Sequence, residues 1–245
     1  MYIIEATEIA SFLARINRKY KVYTDTFPRR SIKNIDDIMF AATRLYAYGT
    51  PFANQGKSRQ LHYLKADIPH LEKILLPFVE KVWNFFNEDS NTANTQANFD
   101  QLQEDLCELF LDIFNKDGKY HHTYGNAQKM VNMLFKYLTC FEDYMAFADL
   151  FSHCHIPIDG IILGRFARVY HVPGTTGVID HGEYYGVCWS KMSKSEYTQL
   201  LADYRAIFSP IKCDNTWLSL EYPIWVGAPI RYTGVHAAPI EKFYM

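Results

Sequence analysis

Apolar positions recur with a helical period along most of the chain, and strict alternation is scarce. Residues 6–20 and Ile35–Tyr48 each predict a helix. After Asp67, the side chains Leu71, Ile74, Leu75, Phe78, Val79, Val82 and Phe86 fall on one helical face, with Pro77 as an expected kink or break. "FDQLQEDLCELFLDIFNK" predicts a further amphipathic helix. It carries Asp100, Glu104, Asp105, Glu108 and Asp112 before any basic residue, which reads as a solvated acidic face. Another helix is expected from about Asn126 to Phe147, with Ala127, Met130, Val131, Leu134, Leu138 and Phe141 on its apolar stripe. "GIILGRFARVY" and "SKMSKSEYTQLLADYRAIF" predict two more, the second capped by Ser193 or Ser195. A short one is expected around Glu221–Val226. "NEDSNTANTQAN", "NKDGKYHHTYG" and "HVPGTTGVIDHGEYYG" read as connectors. The fold class is therefore all-α, one helical unit over 1–245 that divides, if at all, into 1–90 plus the C-terminal tail and 98–210.

Composition narrows this picture. A chain of 245 residues with 49% hydrophobic and 21% charged residues can bury a large core as a soluble globular protein. The net charge of −2 gives no overall attraction for a polyanion, so only local basic patches can supply one. Two exist: Arg15, Arg18, Lys19, Lys21, Arg29 and Arg30, and then Lys116, Lys119, Lys129 and Lys136 with His121 and His122. The five cysteines are scattered without a C-x-x-C pair, which points to reduced thiols in a cytoplasmic protein. Glu5 and Glu8 interrupt the start as a signal peptide, and no apolar run is long enough to span a membrane. Metal binding by His121, His122, His153 and His155 lacks supporting carboxylate spacing. "HGE" at His181–Glu183 lacks a P-C-x-x-C partner, and "PGTTG" lacks the ending of a phosphate loop.

Two short stretches carry candidate chemistry. In "TYGNAQKMVNMLFKYL", Gly125 precedes a helix whose Lys129, Asn132 and Lys136 share the face opposite the apolar stripe. The plain reading is a solubilising face. In "HCHIPIDGIIL", Pro157 holds Ile156 extended, and Asp159 stands at the start of an apolar helix. The plain reading there is an N-cap carboxylate, which is compatible with a second role facing a cleft.

Together, "GNAQK" and "IPID" resemble the helix-hairpin-helix DNA glycosylase superfamily. In that family a glycine-containing hairpin binds the DNA backbone, a lysine opens the hairpin's second helix, and a catalytic aspartate follows a hydrophobic-Pro-hydrophobic step. The resemblance covers roughly residues 120–170, and the 30-residue separation of Lys129 and Asp159 is nearest the archaeal 8-oxoguanine glycosylase branch. Gly125 stands alone where the family has two glycines. The resemblance implies Lys129 and Asp159 as catalytic residues. It implies Gly125, Asn126, Gln128, Asn132, Lys136, Lys119, His121 and His122 as DNA contacts. Stacking candidates for a flipped base are Tyr124, His155, Trp189 and Trp225, beside Phe151, Tyr184, Tyr185 and Trp217, with most aromatics expected in the core. The implied activity is excision of an 8-oxoguanine-type or hypermodified phage-type base from duplex DNA, with or without strand cleavage, by a cytoplasmic monomer needing no cofactor. The alternatives are a non-catalytic DNA-binding module and a helical domain in which the motif match is accidental. The criterion that separates the last from the first is whether Lys129 and Asp159 converge.

Overall fold

The computed structural model describes residues 7, 9–14, 30–48, 68–87, 95–116, 118, 121–166, 170, 171, 178, 179, 187–212, 217, 218, 221 and 222. Lys119, Trp225, Tyr184, Tyr185 and the basic run from Arg15 to Arg29 lie outside them.

The described residues are mostly helical, as the periodicity predicts. Residues 9–14 are helical. The longer helices are α1 (Ile35–Tyr48), α2 (Ile68–Asn87), α3 (Gln96–Asn115) and α4 (Tyr124–Leu138). A 3-10 turn (Tyr144–Phe147), the single-turn α5 (Ala148–Phe151) and α6 (Gly160–Phe166) follow. A second 3-10 turn (Trp189–Lys191) precedes α7 (Lys194–Lys212). β1 (Tyr170–His171) pairs antiparallel with β2 (Val178–Ile179), so Tyr170, at the end of the span expected as helix, and the described residues of the stretch expected as a connector are extended instead.

Local chemistry explains where the helices begin. Asn34 accepts the Asp36 and Asp37 amides, while the Asp37 carboxylate accepts those of Lys33 and Asn34. Thr95 caps α3 by accepting from Asn98. Ser193, not Ser195, caps α7: its hydroxyl accepts the Glu196 amide, and the Glu196 carboxylate accepts the Ser193 amide. Pro77 does not split α2. It lies on an exposed part of the helix, where water can take the Lys73 carbonyl that its missing N–H leaves free. The helix expected to reach Phe147 stops at Leu138 instead. There Thr139 turns its hydroxyl back to the Lys136 carbonyl, 2.8 Å away, and the chain bends.

α4 is the centre of the packing. α1, α3, α7 and the Trp189–Lys191 turn all lie against it, and of its 15 residues only Met133 is not buried. Its apolar stripe joins one hydrophobic cluster with residues of α1, α2, α3 and α7, in which Phe135 meets Phe99 edge-on at 5.0 Å. The acidic side of α3 is not simply solvated. Asp105 pairs with Lys81 of α2 at 2.6 Å, and Glu104 and Glu108 share Lys194 of α7 at 2.5 and 2.8 Å. Among the described residues no helix is long and apolar enough to cross a membrane.

Candidate active site

Lys129 and Asp159 converge. The Lys129 Nζ donates to Asp159 Oδ2 at 2.5 Å across 30 residues of sequence. α4 supplies the lysine from its second turn, and the start of α6 supplies the aspartate. The plain N-cap role of Asp159 also holds: its other oxygen, Oδ1, accepts the Ile161 and Ile162 amides at 2.9 and 3.0 Å. One carboxylate therefore caps a helix with one oxygen and holds an amine with the other. Burial alone pushes the Asp159 carboxyl up. The charge and hydrogen bond of Lys129, with the two amides, outweigh this and hold it below its usual value. At neutral pH it is a carboxylate. The side chains of Lys129 and Asp159 keep 8% and 13% of their surface accessible, whereas the polar side chains beside Lys129 on α4 keep almost none.

Those neighbours correct the expected DNA contacts. Asn126, Gln128 and Asn132 are fully buried and Lys136 nearly so, so no phosphate can reach them in this arrangement. Each instead has an internal partner. Gln128 donates to the Ile158 and Gly125 carbonyls and accepts the Ile158 amide. Asn132 donates to the Ile156 carbonyl and to the Tyr197 hydroxyl, both at 3.0 Å. Lys136 pairs with Glu221 and lies 4.3 Å from the centroids of both the Phe12 and Tyr222 rings. The face that reads as solubilising is an interior one because α4 is surrounded.

Gly125 is corrected in the same way. It is not a hairpin turn offering amides to a phosphate, but a residue in the first turn of α4. Its N–H donates to the Met192 carbonyl at 2.9 Å. The next two amides, of Asn126 and Ala127, are taken by Thr123, and Asn126 closes the capping box. Glycine is required here for a close approach: a Cβ would stand 1.8 Å from the Trp189 carbonyl oxygen. The Thr123 hydroxyl donates to the Ser190 carbonyl at 2.8 Å, so the Trp189–Lys191 turn docks on the start of α4 through backbone groups. The same turn places the Trp189 indole beside Gly160, the residue after Asp159.

Of the stacking candidates, Trp189 alone is described and half-buried at this position. Tyr124 packs inside against Tyr197, and Phe151 and Trp217 are core residues. His155 is also interior: its ring bonds to Tyr197 Oη and to Asp100, which Arg205 grips with two nitrogens. Of the remaining DNA candidates, His121 is exposed, while His122 is buried between Phe110 and Phe114. Burial lowers the His122 ring's pKa to about 4, against a hydrogen bond with Asn126 that raises it. Arg30 pairs with Asp37 at 3.2 Å over the Phe40 ring.

Two groupings emerge in the fold that the motifs did not single out. Glu221 had no assignable partner, and it is the counter-ion of a second buried lysine two turns beyond Lys129. The Gln128/Asn132 pair had one legible signal, its i, i+4 spacing, which the structure uses in a 3.2 Å bond between the two amides. Among the described residues no three His, Cys, Asp or Glu side chains form a metal-ligand group.

No protein-family model matches the chain, and no curated protein or solved structure is significantly similar to it.

Proposed function

We propose that the protein is a DNA N-glycosylase of the helix-hairpin-helix kind, acting on an 8-oxoguanine-type or hypermodified base, with Lys129 and Asp159 as its catalytic residues. The observation that carries the reading is the 2.5 Å pairing of the two residues singled out by motif. Asp159 caps α6, Lys129 lies in the second turn of α4, and both retain accessible surface. Breaking an N-glycosidic bond builds positive charge on the sugar, and the Asp159 carboxylate is an anion at neutral pH that can face it. Asp159 also holds the Lys129 amine in place. In its neutral form the amine attacks the anomeric carbon, the glycosidic C–N bond breaks with its electron pair going to the base, and the base takes up the proton that the amine gives up. Opening of the sugar leaves an iminium between Lys129 and that carbon. The flipped base needs an apolar planar surface, and the half-buried Trp189, whose indole lies beside Gly160, offers one next to the pair.

A second reading has a specific observation behind it. Gln128 and Asn132 already bind the 156–158 segment to α4, so the ion pair could serve only to hold α6 in place. A hairpin-type DNA-binding module without chemistry is less favoured, because the amides at the start of α4 are used internally.

The test is incubation with duplexes carrying a panel of modified bases in the presence of borohydride, which reduces the iminium to a stable protein–DNA adduct. The expected result is an adduct that disappears in Lys129→Met. Asp159→Asn is expected to slow base release by roughly 100-fold or more. Base release that survives in Lys129→Met but not in Asp159→Asn indicates water as the nucleophile. Neither release nor adduct from any substrate, with both variants less stable than wild type, establishes the structural reading.

A further inference from the structure

The residue before the lysine holds the residue before the aspartate. Gln128 donates its Nε2 to the Ile158 carbonyl at 2.8 Å and accepts the Ile158 amide on Oε1 at 3.2 Å. One side-chain amide thus satisfies both polar groups of one backbone residue, as a neighbouring strand would. One step further along each segment, Lys129 and Asp159 meet. One helical turn on, Asn132 donates to the Ile156 carbonyl, and the same Nδ2 also reaches the Tyr197 hydroxyl and Gln128 Oε1. The segment so held, Ile156-Pro157-Ile158, has no regular structure of its own, and its backbone could slide if unclamped.

We propose that Gln128 and Asn132 are positioning residues: by gripping the backbone of residues 156–158 they place the Asp159 carboxylate against the Lys129 amine. The inference deepens the lysine–aspartate reading above and rests on it for its catalytic consequence, while its geometric part stands by itself. Both amides are fully buried, and neither faces the accessible side of the pair. Their cost in side-chain ordering and desolvation is offset only where their bonds are made, so they specify one register of the segment rather than a range. The Ile161 and Ile162 amides orient the carboxylate within α6, but they move with α6. Among the described residues, the hydrogen bonds that tie the chain immediately before that unit to the helix bearing Lys129 are those of Gln128 and Asn132.

The experiment compares Gln128→Met and Asn132→Leu, which keep side-chain bulk and remove the bonds, with Val131→Ala. That control destabilises the same helix and removes no hydrogen bond to the 156–158 segment. Two readouts are taken on protein shown to be folded. The first is the NMR titration of the Asp159 carboxyl, expected to climb toward the ordinary carboxylate range in both amide variants and to stay put in Val131→Ala. The second is the rate of borohydride trapping, expected to fall on the order of 100-fold at unchanged duplex affinity, as for a displacement of about 1 Å. An Asp159 titration unmoved in a folded amide variant overturns the proposal. If wild type neither releases a base nor traps on any substrate, the glycosylase reading fails, and the titration still decides the positioning role. Should neither variant fold, side-chain amide exchange in the wild type decides. Gln128 is expected to exchange far more slowly than the exposed Gln101, and comparable rates overturn the clamp.

Discussion

Removing Glu221 should expose how the interior tolerates a second lysine. Lys136 and Glu221 each keep 1% of their side-chain surface, and the ammonium group lies between two aromatic rings at 4.3 Å. Burial pulls the Lys136 pKa down and pushes that of Glu221 up, each opposed by the partner's charge. In Glu221→Leu the lysine can stay charged without a counter-ion, at a cost of about 3–5 kcal/mol for a broken buried pair. Otherwise it can shed its proton, which at pH 7 costs about 1.4 kcal/mol for each of roughly 3.4 pH units, or nearly 5 kcal/mol. The two routes bracket the same loss, and the ring contacts, worth about 2 kcal/mol when desolvated, pull the value toward the lower end. With a urea slope of about 3 kcal/mol/M, the midpoint should drop by roughly 1 M or more at pH 7. The sign of the pH dependence follows. With Glu221 gone, folded Lys136 titrates below its unfolded value, so the unfolded chain binds more protons between the two. Stability then rises with pH, and the deficit shrinks by up to about 1.4 kcal/mol per pH unit. Lys136→Met combined with Glu221→Leu should return to wild-type stability or exceed it by about 1–4 kcal/mol. A cost below about 1 kcal/mol for Glu221→Leu alone, the range of exposed pairs, would refute the reasoning. Lys136 would then reach water and regain its candidacy as a phosphate contact.

Two further outcomes are expected. Gly125→Ala forces a Cβ to within 1.8 Å of the Trp189 carbonyl oxygen and should cost about 3 kcal/mol or more, because the obstacle is backbone. Gly160→Ala meets the Trp189 ring at 3.8 Å, ordinary contact, and should be neutral or stabilising by up to about 1 kcal/mol; equal thermal shifts for the two would contradict the docking of the 3-10 turn. His122, with its folded pKa near 4, stays neutral while the unfolded ring gains a proton below about 6.5. Its contribution to stability is therefore lost as pH falls through that window, by about 2 kcal/mol between pH 7 and 5. Denaturation curves at the two pH values should show His122→Leu losing less than wild type, and identical losses would remove His122 as the cause.

Periodicity located the main helices of this protein but not all of their ends. Ile35–Tyr48 and the span after Asp67 follow from spacing, whereas the choice of Ser193 over Ser195 as a cap and the stop at Leu138 were settled by the fold. The motif pair was legible too: an aspartate after I-P-I must cap, and a lysine early in a helix is conspicuous. That the two meet is a tertiary fact, because it depends on how the 156–158 backbone is held against α4 by Gln128 and Asn132. What lies opposite the α4 stripe could not be read at all. Hydrophobic spacing says which side chains avoid water, but it does not say that polar ones reach it. Asn126, Gln128, Asn132 and Lys136 look like a wet face in the sequence and are dry in the fold. Gln128, Asn132 and Lys136 find partners in the 156–158 backbone, Tyr197 and Glu221, which lie 24 to 85 residues away. A buried polar group is tolerated only when its hydrogen bonds are made, and the side chains and carbonyls that make them are assembled by packing.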